Sequence, residues 1–248
     1  MDNGKVKRSK LTLRRGLTVI GLLVVLLLAY KFSIIPNSND IAKGQGIKAD
    51  SGAVALPTPM RTGEVSLEQL LTGRRSIREY LEKELTIFEV GQLLWSAQGI
   101  THPRGYRTAP SAGALYPLEL YVVVGRVEGI EKGVYHYDAK QHKLVKTIES
   151  DMRTSLARAA LSQSAVKNAA AIIVFAADYR RTTKKYGKRG ERYVHMEVGH
   201  AAQNLFLQAV ALKLATVVVG AFNDDKVAEL LQLPVQLRPL MLMPVGKK

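Results

Sequence analysis

Six cations crowd the first fifteen residues (Lys5, Lys7, Arg8, Lys10, Arg14 and Arg15) against a single acid, Asp2, and the chain then turns apolar. From Leu17 to Tyr30 only Thr18 and Gly21 interrupt the run, which resumes after Lys31 through Phe32 and Ile34–Ile35. Read to Ile35 it is 19 residues, enough to cross a bilayer core of about 30 Å at about 1.5 Å per residue. Stopped at Tyr30 it is 14 residues, the size of a signal-peptide apolar region. A basic flank stays in the cytoplasm, which places everything after Pro36 on the other side of the membrane. The candidate cleavage site, Ala53-Val54-Ala55, lies about 18 positions beyond the run, too far for a normal signal peptide. An uncleaved anchor is therefore the favoured reading over a cleaved signal. A buried core helix of a cytosolic protein would leave the basic flank without a role. Arg14-Arg15 followed by Gly16-Leu17 also weakly resembles a twin-arginine export signal.

The sequence divides into a basic region, 1–15, a transmembrane or signal-anchor helix, 16–35, a linker, 36–56, and a folded domain, 57–248. The linker is rich in Asn, Ser and Gly and ends against Pro57-Thr58-Pro59. At 248 residues with 47% hydrophobic and 23% charged side chains, the chain is too apolar to be disordered. The net charge of +15 calls for anionic company, whether phosphate, nucleic acid or lipid surface. There is no cysteine, which excludes disulfides, thiolate nucleophiles and Cys-ligated metal or iron–sulfur sites.

Capping boxes at Ser66-x-x-Gln69 and Thr86-x-x-Glu89 open two helices that stop at Gly73 and Gly99. Strands are expected at 118–124, 170–175, 216–219 and 240–245, with a hairpin from 134–137 and 143–148. Helices are expected around 152–161 and after Asn223, and the longest from about 191 to 212. Helices interleaved with strands and one local hairpin fit an α+β or mixed α/β sandwich.

Three segments carry chemistry. Arg74-Arg75-Ser76-Ile77-Arg78 places three guanidiniums and a hydroxyl in five residues, a set suited to a dianionic phosphate but equally readable as a solvated basic loop. Ala109 to Pro117 is small and proline-bounded, so a planar ligand could approach its backbone closely. No P-loop and no GxGxxG fingerprint is present. Lys184 to Tyr193 interleaves cations with aromatics and reads as a solvated loop entering the long helix, or as a Lys–Tyr acid/base pair lining a cavity. Nucleic-acid binding would want such a stretch, but its placement outside the cytoplasm argues against that partner. In the long helix, His195, Glu197, His200, Gln203 and Asn204 lack HExxH spacing. No metal site is expected there, and these polar groups read as bonds across a helix interface.

Taken in order, these segments resemble the FMN-dependent nitroreductase superfamily, in its SagB/ThcOx-type dehydrogenase branch. The matching residues run from Leu56–Pro59 through Arg74–Tyr80, Leu93–Ile100, Ala109–Pro117 and Gly133–Tyr137 to Glu197–Asn204, Val217–Ala221 and Pro244–Gly246. The resemblance implies an α+β nitroreductase-like sandwich, with a central, mainly antiparallel sheet flanked by helices. It also implies a homodimer holding FMN at its interface. Arg74, Arg75, Ser76 and Arg78 would grip the phosphate and ribityl chain. Pro110, Ser111, Gly113 and Ala114 would line the ring, Val219 and Gly220 would bring backbone near flavin N5, and Lys247 would neutralise the phosphate or pyrimidine edge. Azoline-oxidising members use a Lys–Tyr pair, which maps to Lys185 and Tyr186 as catalytic residues, with Lys184 adjacent. Two departures stand out. Ala114 replaces the Asn common in broader nitroreductases, and the chain stops at Lys248, where several members continue over the partner.

The implied activity is hydride transfer through flavin N5 in a ping-pong scheme. NAD(P)H is scarce outside the cytoplasm, which favours a quinone or an exported peptide over the usual nicotinamide partner. FMN outside the cytoplasm would require export of the folded holoprotein. The alternative is a non-catalytic flavin- or anion-binding protein tethered to the membrane.

Overall fold

Residues 171–177, AIIVFAA, carry no polar side chain, and all seven are buried. A strand of that composition is stable only when covered on both faces. The computed structural model describes residues 52–248. The basic region 1–15, the apolar segment 16–35 and all but the end of the 36–56 linker lie outside the described residues. Among the described residues, no helix is long and apolar enough to cross a membrane.

The strands are β1 (Ala53–Ala55), β2 (Leu118–Val124), β3 (Gly133–Asp138), β4 (Lys143–Ile148), β5 (Ala171–Ala177), β6 (Leu214–Thr216) and β7 (Arg238–Lys247). The helices are α1 (Leu67–Gly73), α2 (Ile87–Gln98), α3 (Arg153–Ala159), α4 (Ser164–Asn168), α5 (Tyr179–Tyr186), α6 (Arg189–Ala211) and α7 (Asp224–Leu230), with a 3-10 turn at Ala112–Ala114. The strands form one seven-stranded sheet in the order β1-β4-β3-β2-β5-β7-β6, every pair antiparallel. This is the expected α+β arrangement.

Two cores sit on opposite faces of the sheet, as the two-residue period of a strand requires. Leu118, Leu120 and Val122 of β2 pack under α2 and α6 with Leu93, Leu94, Val194, Ala201 and Leu205. Tyr121 and Val123 point the other way, with Leu156, Val166 and Val227 of α3, α4 and α7 and with Leu231 just after α7. Each such buried aliphatic side chain contributes about 1.5–3 kcal/mol through burial. Helix α6 buries Val194, Val198, Ala201, Leu205 and Ala209 along one face, the spacing of an amphipathic helix.

Several boundaries differ from expectation. Ala53–Ala55 is not linker but an edge strand on β4, and Leu56 behind it is buried, so the folded part begins before residue 57. The 184–193 stretch is not a loop: α5 ends at Tyr186, Gly187 turns the chain at φ +56°, and α6 starts at Arg189. The strand expected over 216–219 ends at Thr216, and only Val219 rejoins β7, bonding Leu242 in both directions. The residue opposite Val217 in that register is Pro244, which has no N–H to donate, so the ladder breaks there.

Candidate active site

Helix α1 opens with the capping box of Ser66 and Gln69. At Arg74 the backbone turns extended, and the arginine segment runs along the end of the sheet. Ile77 N donates to Thr216 O (2.9 Å) and Leu81 N to Lys247 O (2.9 Å). Gly246 lets this segment approach, since a Cβ there would stand 2.6 Å from Tyr80 Cβ. Arg74 stacks over the Phe206 ring at 5.0 Å, while Arg75 Nη1 donates to Thr72 O (3.0 Å) and Arg74 O (2.7 Å). Among the described residues, none of Arg74, Arg75 and Arg78 has a carboxylate partner. Ser76 and Arg78 are exposed. Unneutralised guanidiniums beside a hydroxyl fit a phosphate dianion.

Lys247, expected to help neutralise a phosphate or pyrimidine edge, has a carboxylate partner within the chain. Its Nζ lies 2.5 Å from Glu89 Oε1, the carboxylate that also caps α2 at Thr86. Val219 has both backbone groups committed to Leu242, whereas Gly220 is exposed, with open space where a Cβ would be. Of these two residues only Gly220 has an uncommitted N–H.

The Ala109–Pro117 loop is the second half of the site. Gly113, Ala114 and Tyr116 all take left-handed backbone, at φ +62°, +53° and +46°, a conformation that costs about 1–3 kcal/mol per residue other than glycine. Ser111 Oγ accepts from Tyr116 N (2.9 Å), closing the turn. A Cβ on Gly113 would stand 2.8 Å from Tyr186 Oη and 3.0 Å from Lys185 Nζ. The structure thus brings together Gly113, Lys185 and Tyr186. Lys184 is not among the atoms closest to Gly113. Lys185 Nζ also lies 5.3 Å from the Tyr186 ring centre, and Tyr186 meets Tyr193 edge to face at 5.2 Å.

Beneath the loop lies a polar network in which the sequence did not single out Arg107 or Thr108. Asn204 Nδ2 donates to Thr108 O (3.2 Å). Arg107 Nη1 donates to Gln98 Oε1 (2.6 Å), and its guanidinium stacks on Tyr116 at 4.8 Å. Glu197 on α6 is 2% exposed and its Oε1 has no partner. Burial raises its carboxyl to about 7, outweighing the Ser111 hydroxyl and the Arg107 guanidinium, which favour the ionised form. Beyond Arg107 a groove of about 630 Å³ opens toward Glu119, His136 and Arg181. Burial raises Glu119, but hydrogen bonds from His136 and Arg181 together prevail and hold it below the usual carboxylate range.

The arginine half and the loop half both lean on α6, yet among the described residues no hydrogen bond joins Arg74–Arg78 to Ser111–Ala114. Among the same residues, no cluster of ligating side chains could hold a metal ion.

The antiparallel sheet between helices is shared with a family of oxidoreductases. Residues 71–247 match the nitroreductase family, and the chain belongs to it. A protein described as a nitroreductase in Methanocaldococcus jannaschii is 49% identical over 185 residues, covering 75% of this chain and 92% of that protein. The trifolitoxin-processing protein TfxB of Rhizobium leguminosarum bv. trifolii is 32% identical over 113 residues, which is 44% of this chain and only 30% of that protein. Among solved structures, a protein described as a nitroreductase from Ralstonia eutropha superposes with a TM-score of 0.69 at 26% identity, covering 83% of this chain and 95% of that one. Enzymes of the family generally use FMN.

Proposed function

We propose that this chain is an FMN-dependent oxidoreductase of the SagB/ThcOx type, acting as a homodimer and held at a membrane by residues 16–35, with its folded domain on the non-cytoplasmic side. The observation that carries the reading is the meeting of Gly113 with Lys185 and Tyr186. It sets a small-residue turn, suited to a flat ring, against a Lys and a Tyr able to exchange protons. When bound, FMN would supply a hydride carrier at N5. The protein's own part is to bind, orient and protonate. Arg74, Ser76 and Arg78 hold the phosphate, with Arg75 beside them, while Lys247 serves the fold through Glu89. Pro110, Ser111, Gly113 and Ala114 cover the ring and exclude water, and Gly220 offers its free N–H. Lys185 and Tyr186 hold or release the substrate's proton.

A second copy supplies what one chain leaves separate. The arginine half and the loop half share no hydrogen bond within one chain, and a two-fold partner could bring one copy's arginines to the other's loop. A peptide is the favoured substrate class over a quinone or another small molecule. The support is the similarity to a protein named for processing trifolitoxin, of whose length this chain matches 30%.

The test is a pair of variants. Lys185→Ala and Tyr186→Phe are expected to keep FMN while turnover falls by about 10²–10⁴-fold, the usual contribution of a positioned acid or base. Lys184→Ala is expected to leave turnover unchanged. Normal turnover in the first two variants would remove the proposed pair.

A further inference from the structure

Helix α5 carries Lys185 and Tyr186, yet little apolar packing holds it. Of its eight residues only Thr182 is buried, and among the described residues the Thr182 hydroxyl has no partner. Asp178 fixes the start of the helix, its side chain accepting from Arg180 N (3.1 Å) and its N–H donating to Pro117 O (3.0 Å). Gly190 of α6 lies against the middle, where a Cβ would stand 2.9 Å from Thr183 Cα. These contacts place α5 beside α6 but make no tie from its exposed face to the Gly113 turn. Arg181 makes that tie. It stands four positions before Lys185, and so on the same helix face. Its Nη1 donates to Tyr116 O (2.9 Å) and its Nη2 to Glu119 Oε1 (2.6 Å). Both acceptors are themselves held. Glu119 Oε2 bonds His136 Nε2 from β3 (2.8 Å), and the His136 ring packs on Tyr121 at 5.1 Å. The left-handed Tyr116 donates its N–H to Ser111 Oγ (2.9 Å), and its ring lies under the Arg107 guanidinium at 4.8 Å.

We propose that Arg181, held by Glu119, is the positioning residue of the Lys185–Tyr186 pair: its forked guanidinium fixes the face of α5 that carries Lys185 against the turn that carries Gly113. That role rests on the acid/base reading of the pair given above. Strength is not what the Arg181–Glu119 contact supplies. The two side chains are 40% and 22% exposed, and an ion pair near water contributes little. What it supplies is direction, because a planar guanidinium bonded to two fixed acceptors has one orientation. Tyr116 lies three residues after Gly113, and Arg181 four before Lys185. The fork therefore closes a short circuit through these four residues, whose open side is the 3.0 Å approach of Lys185 Nζ to the position of a Gly113 Cβ. Among the described residues Lys185 has no carboxylate partner. A lysine amine on a flexible stem with no partner of its own reaches where its helix face points. A misplacement of about 1 Å in a reacting pair costs on the order of 10²-fold in rate.

The experiment uses full-length protein carrying 3-fluorotyrosine and reads fluorine NMR, with the Tyr186 signal assigned by its loss in Tyr186→Phe. In Arg181→Gln and in Glu119→Ala that signal is expected to move toward the position of free fluorotyrosine. Glu119→Gln, which keeps an acceptor for the fork, is expected to hold it in place. Arg180→Gln removes the same charge from the same helix, but Arg180 bonds only its own cap, Asp178, and the signal is expected to stay. The Tyr135 and Tyr137 signals report the sheet-side core and are expected to be unchanged throughout, which separates a local displacement from unfolding. Should Arg181→Gln fail to fold, Arg181→Lys carries the test. An ammonium keeps the charge without the fork, and a smaller displacement in the same direction is expected. A Tyr186 signal that stays in place in the folded Arg181 variants, or that moves as far in Arg180→Gln, would overturn the proposal. The readout needs neither flavin nor turnover. Normal turnover in Lys185→Ala would instead overturn the acid/base reading, whatever the position of the Tyr186 signal.

Discussion

The buried Glu197 carboxyl gives the fold a pH-dependent contribution of its own. Its carboxyl titrates near 7 in the native state and near 4.5 when solvated. The native protein therefore binds this proton more tightly than the unfolded chain does. Its contribution is fully present below pH about 4.5, falls as pH rises through the window from about 4.5 to 7, and is lost above it. At about 1.4 kcal/mol per pKa unit, wild type is expected to lose about 2–3 kcal/mol relative to Glu197→Gln between pH 5 and pH 8. Chemical denaturation of both proteins at the two pH values checks this, and parallel losses would contradict it. Such a role was not legible in the sequence. Glu197 sits among His195, His200, Gln203 and Asn204, and only the packing of α6 separates the buried carboxyl from the exposed His195, His200 and Gln203 and the half-buried Asn204. Arg107 gave no signal, and Gln98 signalled only as part of the Leu93–Ile100 segment, because their partnership spans α2 and a loop. By contrast, Gly113, Lys185 and Tyr186 were singled out in the sequence by residue type, and the fold brings the three together.

At the scale of elements, α1 poses the clearest question. Its capping box and terminal Gly73 define a helix, yet none of its residues is buried, and Leu67 and Leu71 are 56% and 51% exposed. Val65 and Met60 nearby are exposed as well. Apolar side chains concentrated on one short element call for cover, and the proposed dimer supplies it. A Leu67→Asp/Leu71→Asp double variant is expected to shift the protein to monomer in light scattering and to weaken FMN retention. An unchanged mass would remove α1 from the interface.

Most elements were readable from local signals: two capping boxes, the Asn223 cap of α7, and the apolar runs of β2 and β5. The failures have physical causes. Helix α5, YRRTTKKY, has no apolar stripe to announce it, and only Thr182 is buried. Its start is fixed by Asp178, whose side chain accepts from Arg180 N (3.1 Å). Strand β6 is cut short by a proline in its neighbour rather than by anything in its own sequence.

For the whole molecule, the proposed membrane tether and the proposed flavin site impose joint demands. Protease added to intact cells is expected to digest the folded domain if residues 16–35 anchor it with the basic flank inside. Protection until lysis would place it on the cytoplasmic side and restore NAD(P)H as a plausible partner. The central claim, however, concerns the cofactor. It is tested most directly by the absorbance spectrum of the purified full-length protein, with identification of any chromophore released on denaturation. The expected result is a bound-flavin spectrum that bleaches on reduction and releases FMN. A colourless protein that also fails to take up added FMN would contradict the account and leave Arg74–Arg78 as an anion-binding edge of the nitroreductase fold.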